Sequence, residues 1–312
     1  MYSSTVLTTL GKQIAERWVA NLFAPAFVFW LGGVVAYLQD NGWGSLEEWL
    51  TGLDETLQVG VLVAALLLVA ASGFVVQRFD LMVLRFFEGY WPRWMAPLHT
   101  FLIKRQRAWF DRADSRWNEL MMQQAEAPAS MTAQEIEEQI DLDTRLRQVP
   151  PQRSRQMPLR LGNILRAAEM QPQNKYGLDA IVCWPRLWMV LPDEVKDALQ
   201  QARSDLNTAA RVWLWGTLFL AWFFVWRWTW WVIPVGLGTA WFAHRWMLLA
   251  ASTYGELLES AFDLHRFKLY EALHWPLPKT PEEEQSSGKL LTQYLWRGSR
   301  SKSPEFVFGD GD

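Results

Sequence analysis

Four long apolar runs interrupt an otherwise polar chain, and the longest have the length of bilayer-crossing helices. Residues 18–38 carry no charge over 21 positions, and residues 56–77 carry none over 22. Each matches the roughly 20 apolar residues that cross a hydrocarbon core. The third run, 212–226, is shorter and stops at Arg227; the fourth, 228–244, stops before Arg245. One helix through both would be far too long for a bilayer at about 1.5 Å per residue. The pattern therefore predicts two shorter helices meeting at Arg227, with a re-entrant hairpin as the rival reading.

The polar stretches predict further helices. Residues 79–89 continue amphipathically from the second run to a break at Gly89–Pro92, and a second helix is expected over 98–125. It sets Trp109, Phe110 and Trp117 among basic residues, as a membrane-surface stripe does. Thr132 and Glu135 have capping-box spacing and open a short acidic helix that Pro150 and Pro151 end. Another helix is expected over 159–170. Pro192-Asp193-Glu194 is a helix start from which the pattern runs unbroken into the third span, coupling a cytoplasmic domain to the membrane. Residues 254–274 repeat apolar positions at three and four, as an amphipathic helix does. From Lys279 onward Pro, Glu, Ser and Gly dominate and predict disorder, with Phe306-Val307-Phe308 as a docking motif or a frayed end.

The best strand candidate, 180–184, is short and stops at Pro185. The expected fold is all-α: a polytopic membrane protein with four transmembrane helices in two hairpins and a helical cytoplasmic domain. The expected boundaries are a cytoplasmic N-terminus at 1–17, a first hairpin at 18–77 and a cytoplasmic domain at 78–208, hinged near 127–157. A second hairpin at 209–251, an amphipathic helix at 252–278 and a disordered tail at 279–312 complete the chain.

Charge then orients it. The loop between the first two runs holds Asp40, Glu47, Glu48, Asp54 and Glu55 with no Lys or Arg. Arg78, Arg85, Arg93, Lys104, Arg105, Arg107, Arg112 and Arg116 follow the second run. The positive-inside rule places both termini and the middle region in the cytoplasm. Trp213 to Trp246 gather nine of the 21 tryptophans, a density suited to the headgroup layer. Trp228, Trp230 and Trp231 flank Arg227 where that hairpin turns. Trp215, Trp222 and Trp226, seven and four apart, stripe one helix face that lipid or a neighbouring subunit would cover.

The chemistry is sparse. No Asp, Glu or Lys lies within the runs, which argues against secondary transport. A net charge of −3 argues against a nucleic-acid partner. Cys183 stands alone, which excludes a disulfide framework. No GxSxG, HExxH, Walker A or GxGxxG pattern occurs, so no enzyme activity and no cofactor are expected. Glu271 and His274 have the spacing of half a helical di-metal site, but the second pair is missing, and solvated histidines are the plainer reading. Trp91-Pro92-Arg93, Trp184-Pro185-Arg186 and Trp275-Pro276 each end an apolar or amphipathic segment. Pro turns the preceding residue from helix, so each reads as a structural stop. Their Trp residues, with Arg93 and Arg186, are also lipid-headgroup candidates.

Three stretches carry a resemblance: residues 161–169, residues 176–187 with Tyr176-Gly-Leu-Asp179 and Trp184-Pro-Arg-Leu187, and residues 262–278 with Phe262-Asp-Leu-His-Arg266 and Trp275-Pro-Leu-Pro278. Together they resemble a set of uncharacterised bacterial multi-pass inner-membrane proteins, which implies an inner-membrane home and no particular activity. Arg166, Glu169, Tyr176 and Asp179 within them are partner-binding candidates, with fold formation as the plainer reading. The resulting expectation is a membrane-anchored interaction or scaffold protein with the bilayer, further copies of itself and a cytoplasmic protein as partners. A channel or pore-forming effector is the second reading. An interfacial lipid enzyme using Asp263, His265, Glu271 and His274 is the third.

Overall fold

A computed structural model describes residues 24–127, 131–226, 229–298 and 304–308. It is all-helical, with no strand among the described residues. Helix α1 is described over 24–41. There follow α2 (Trp43–Thr51), α3 (Glu55–Gln77), α4 (Asp80–Glu88), α5 (Ala96–Glu126), α6 (Ala133–Arg147), α7 (Arg160–Tyr176), α8 (Ala180–Val190), α9 (Asp193–Phe219), α10 (Trp222–Val225), α11 (Val232–Ala272) and α12 (Pro281–Arg297). The chain divides into two units, Met1–Leu84 with Asp205–Met247, and Arg85–Ser204 with Leu248–Asp312.

In the first unit Asp54 caps α3 by accepting from the Leu57 N–H at 2.8 Å. Ala26, Val76 and Trp215 form its buried centre, with Phe29, Val69 and Leu214 packed around them. The tryptophan stripe is covered from within the chain, by α1. Trp215 and Trp222 lie 5.0 and 5.1 Å from the Phe29 ring, and Trp226 meets Tyr37 edge-on at 5.2 Å. The Trp222 indole N–H donates to the Phe29 carbonyl at 3.1 Å, and Trp231 donates to Gln39 at 2.7 Å. These rings are interhelical packing, which answers the question the spacing left open. The third apolar run is also not one straight helix: α9 ends at Phe219, and a turn at Leu220–Ala221 separates it from α10.

One ion pair closes this unit. Arg211 reaches Asp80 through two contacts, at 3.2 and 2.5 Å, with both residues buried. Burial raises the Asp80 carboxyl above its ordinary value, outweighing the lowering pull of Arg211.

In the second unit α5 and α6 pair as a helical hairpin, tied by Arg116 to Glu138 at 2.9 Å. The capping box at Thr132 and Glu135 is present in full. Leu178, Cys183, Leu187, Leu199, Phe262, Leu269, Tyr270 and Leu291 form the core. Three expectations are corrected in this unit. Pro185 does not end an element but lies inside α8, where its missing N–H forgoes the bond to the residue four back. Residues 254–274 are no separate helix but the continuation of α11 to Ala272. The expected disordered tail forms α12 over Pro281–Arg297. Thr280 caps it by accepting from the Glu283 N–H, three glutamates fill its first turn, and Leu291 is fully buried.

Helix α12 meets α7 backbone to backbone. Gly177 ends α7 in the left-handed conformation, with φ of 73°. A Cβ on Gly288 would stand 2.0 Å from the Tyr176 carbonyl oxygen, so only glycine allows this approach.

Candidate functional site

Five helices of the second unit converge on a cavity of about 260 Å³. Its apolar wall comes from Leu165, Ala168, Ile181, Trp184 and Leu258. Glu88 at the end of α4, Glu169 on α7, Arg203 on α9 and Tyr254 on α11 supply the polar groups. The close seat of α7 on α4 positions Glu88: a Cβ at Gly162 would stand 2.1 Å from the Glu88 carbonyl oxygen. Trp184 is held against Phe262 at 5.9 Å and Trp188 at 5.7 Å.

The electrostatics of the cavity are unusual in one respect. Arg166 pairs with Glu169 at 3.2 Å. Arg203, in contrast, makes no ion pair among the described residues; its guanidinium lies 5.8 Å from the Tyr254 ring centre. The Glu88 carboxylate and the Tyr254 hydroxyl likewise make no hydrogen bond among the described residues. Burial raises the Glu88 carboxyl above its ordinary value; Arg203 opposes this, Glu169 reinforces it, and Arg85 and Arg166 oppose it. Burial also raises the Tyr254 hydroxyl, with Arg203 opposing and Glu169 reinforcing. An acid, a base and a phenol thus line one small cavity without satisfying one another.

A larger cleft of about 640 Å³ lies between α6, α7 and α11. Its charges are all engaged: Arg147 with Asp143 at 3.0 Å, Lys175 with Glu259 at 2.5 Å, and Glu256 accepting from Ser252 at 3.1 Å. Beside it Lys175 and Tyr176 both bind Asp263, at 3.1 and 2.7 Å. Arg266 lies over the Tyr176 ring and pairs with buried Glu284 at 2.6 Å. This network ties α7, α11 and α12 together and is structural.

Of the residues singled out by sequence, Glu169 and Trp184 line the small cavity and Arg166 borders it. Tyr176 and Asp179 are occupied internally: Tyr176 binds Asp263, and Asp179 caps α8 by accepting from the Val182 N–H at 3.1 Å. Trp275 is buried rather than interfacial; it donates to Ser287 at 3.1 Å and packs on Tyr294. Trp91 donates to the Phe86 carbonyl at 2.7 Å. Arg93 and Arg186 are exposed, and Arg186 donates to the Val182 carbonyl. In the first unit Trp230 is exposed and Trp231 packs on Phe219. Arg227 and Trp228 lie outside the described residues.

Two of the four residues of the lipid-enzyme reading are occupied within the chain. Asp263 is held by Lys175 and Tyr176, while His274 stacks on Phe308 at 4.7 Å. No group of three metal-binding side chains occurs among the described residues. Glu88, Arg203 and Tyr254 were not foreseen. They stand on three helices far apart in sequence, and no local spacing announces them. Comparison with protein-family profiles, curated proteins and solved structures found no match to this chain.

Proposed function

We propose that the chain is a membrane-anchored helical interaction protein that assembles with further copies of itself and presents its second unit to a cytoplasmic partner. One observation carries the reading, the surface of α3. Leu57, Leu62, Leu66, Leu67 and Val75 are each more than half exposed, and only 11% of the most apolar stretch of this segment is buried. A core helix of a soluble protein hides such residues, and a soluble monomer rarely exposes so large an apolar patch. At about 1.5 Å per residue, α3 is roughly 35 Å long, enough for a hydrocarbon core of about 30 Å. Two helical segments, Glu55–Glu126 and Asp193–Val225, contain stretches long and apolar enough to cross a membrane.

The finer arrangement is part of the proposal. Residues 18–77 and 209–251 form two hairpins of a bacterial inner membrane, with both termini and the second unit on the cytoplasmic side. Acidic residues in the first loop and arginines after α3 support that orientation. Asp263, held by Lys175 and Tyr176, and His274, stacked on Phe308, support binding over catalysis.

The test is alkaline carbonate extraction followed by cross-linking in native membranes. The chain should stay with the lipid and give a discrete oligomer together with a reproducible cytoplasmic protein. Release into the soluble fraction overturns the anchoring. A monomer without a reproducible partner overturns the interaction role.

A further inference from the structure

We propose that the cavity between Glu88, Arg203 and Trp184 is a binding site for a small zwitterion carrying an ammonium, an oxyanion and a short apolar group. Glu88 and Arg203 are each partly buried, and a carboxylate and a guanidinium partly withdrawn from water lose hydration that an ionic partner returns. Here both line the cavity and neither is bonded to the other or to any described neighbour, although Arg203 is the strongest charge acting on Glu88. A ligand bearing the complementary pair satisfies both at once. Its ammonium bonds Glu88, and its carboxylate or phosphate accepts from Arg203, whose planar fork suits either oxyanion. The Tyr254 hydroxyl supplies a further donor to that oxyanion.

The size sets the rest of the ligand. About 260 Å³ corresponds to roughly nine waters at about 30 Å³ each, room for a small molecule and not for a lipid with its chains. The apolar wall of Leu165, Ile181, Trp184 and Leu258 takes a short hydrocarbon or aromatic group, as pockets of this kind do. Two sources share this chemistry, a free amino acid and the phosphoethanolamine headgroup of a lipid. The Arg166–Glu169 pair stands beside the cavity and neutralises the second acid, leaving Glu88 as the group that selects the cation.

This inference goes beyond the anchoring role, and its test does not depend on any partner. Full-length chain purified in detergent is titrated calorimetrically with L-leucine, L-phenylalanine and O-phosphoethanolamine. Isoamylamine and isocaproate, which carry one charge each, are the controls. A zwitterion should bind saturably and about tenfold or more tightly than either control. Glu88→Gln should abolish its advantage over isocaproate, and Arg203→Met its advantage over isoamylamine. Tyr254→Phe, which keeps the ring packing, should weaken binding severalfold and serves if a charge variant fails to fold. Preference for an amino acid marks a free metabolite. Preference for phosphoethanolamine, with phosphatidylethanolamine retained over phosphatidylglycerol from mixed nanodiscs, marks a headgroup. Absence of saturable binding for all three zwitterions at millimolar concentration overturns the proposal. So does unchanged affinity in folded Glu88→Gln and Arg203→Met.

Discussion

Gly288→Ala is the sharpest probe of how the second unit is closed. The added Cβ would stand 2.0 Å from the Tyr176 carbonyl oxygen, 3.1 Å from its carbon and 3.2 Å from the Gly177 carbon. All three are backbone atoms, so no side chain can turn aside, and α12 must retreat from α7 by about 1.4 Å to regain ordinary contact at close-packed density. Overpacking of this kind costs about 1–3 kcal/mol, while replacing glycine inside a helix returns about 1 kcal/mol. The expected net loss is up to about 2 kcal/mol, or up to roughly 8 °C in thermal midpoint for a unit of this size. Ser286→Ala, on the same helix at an exposed position, should change stability by less than about 0.5 kcal/mol. Hydrogen exchange should show the amides of α12 exchanging faster in Gly288→Ala, with α5 and α6 unaffected. An unchanged midpoint with undiminished protection of α12 would refute the close-approach argument.

Other consequences follow from buried groups. Asp80→Ala leaves Arg211 buried without its carboxylate and should cost about 3–5 kcal/mol, read as early unfolding in detergent. The apolar pair Asp80→Leu with Arg211→Met should recover most of that loss, and equal damage from both variants would deny the pair its role. Glu88 has a folded value above its unfolded 4.5, so its contribution to stability falls as pH rises through the folded value and returns on acidification. Glu88→Gln should therefore be the more stable protein near pH 8, with the difference shrinking toward pH 4.5; a pH-independent difference would contradict this. The Cys183 thiol is buried and pushed up to about 11, chiefly by burial. Alkylation by iodoacetamide at pH 8 should run about 100-fold slower than for a free thiol until the chain unfolds, and rapid native labelling would exclude that environment.

Local signals were legible in the sequence where the physics is local. The capping box at Thr132 and Glu135, the helix start at Asp193 and the break after Glu88 all rest on neighbouring residues and are found where expected. Helix α12 was missed because composition averaged over the tail hid its order. Thr280, Pro281 and three glutamates form a helix start, and Leu291, Tyr294 and Leu295 supply a face for the core. Pro185 misled because the rule that proline stops helices is statistical, and packing around Cys183 and Leu187 holds α8 together. The tryptophan stripe was visible as a stripe. What it touches depends on Phe29 and Tyr37, nearly 200 residues earlier. The cavity was out of reach for the same reason: Glu169 and Trp184 drew notice through local pattern, whereas Glu88, Arg203 and Tyr254 meet only in three dimensions.

Membrane anchoring with the second unit in the cytoplasm is the central claim, and buried Cys183 gives a quiet background for testing it. Asn41→Cys, exposed at the end of α1, and Glu137→Cys, exposed on α6, are each labelled in spheroplasts with a membrane-impermeant maleimide. Asn41→Cys should label in intact spheroplasts and Glu137→Cys only after lysis. Equal labelling of both sites before lysis, or labelling of neither until lysis, would contradict the account.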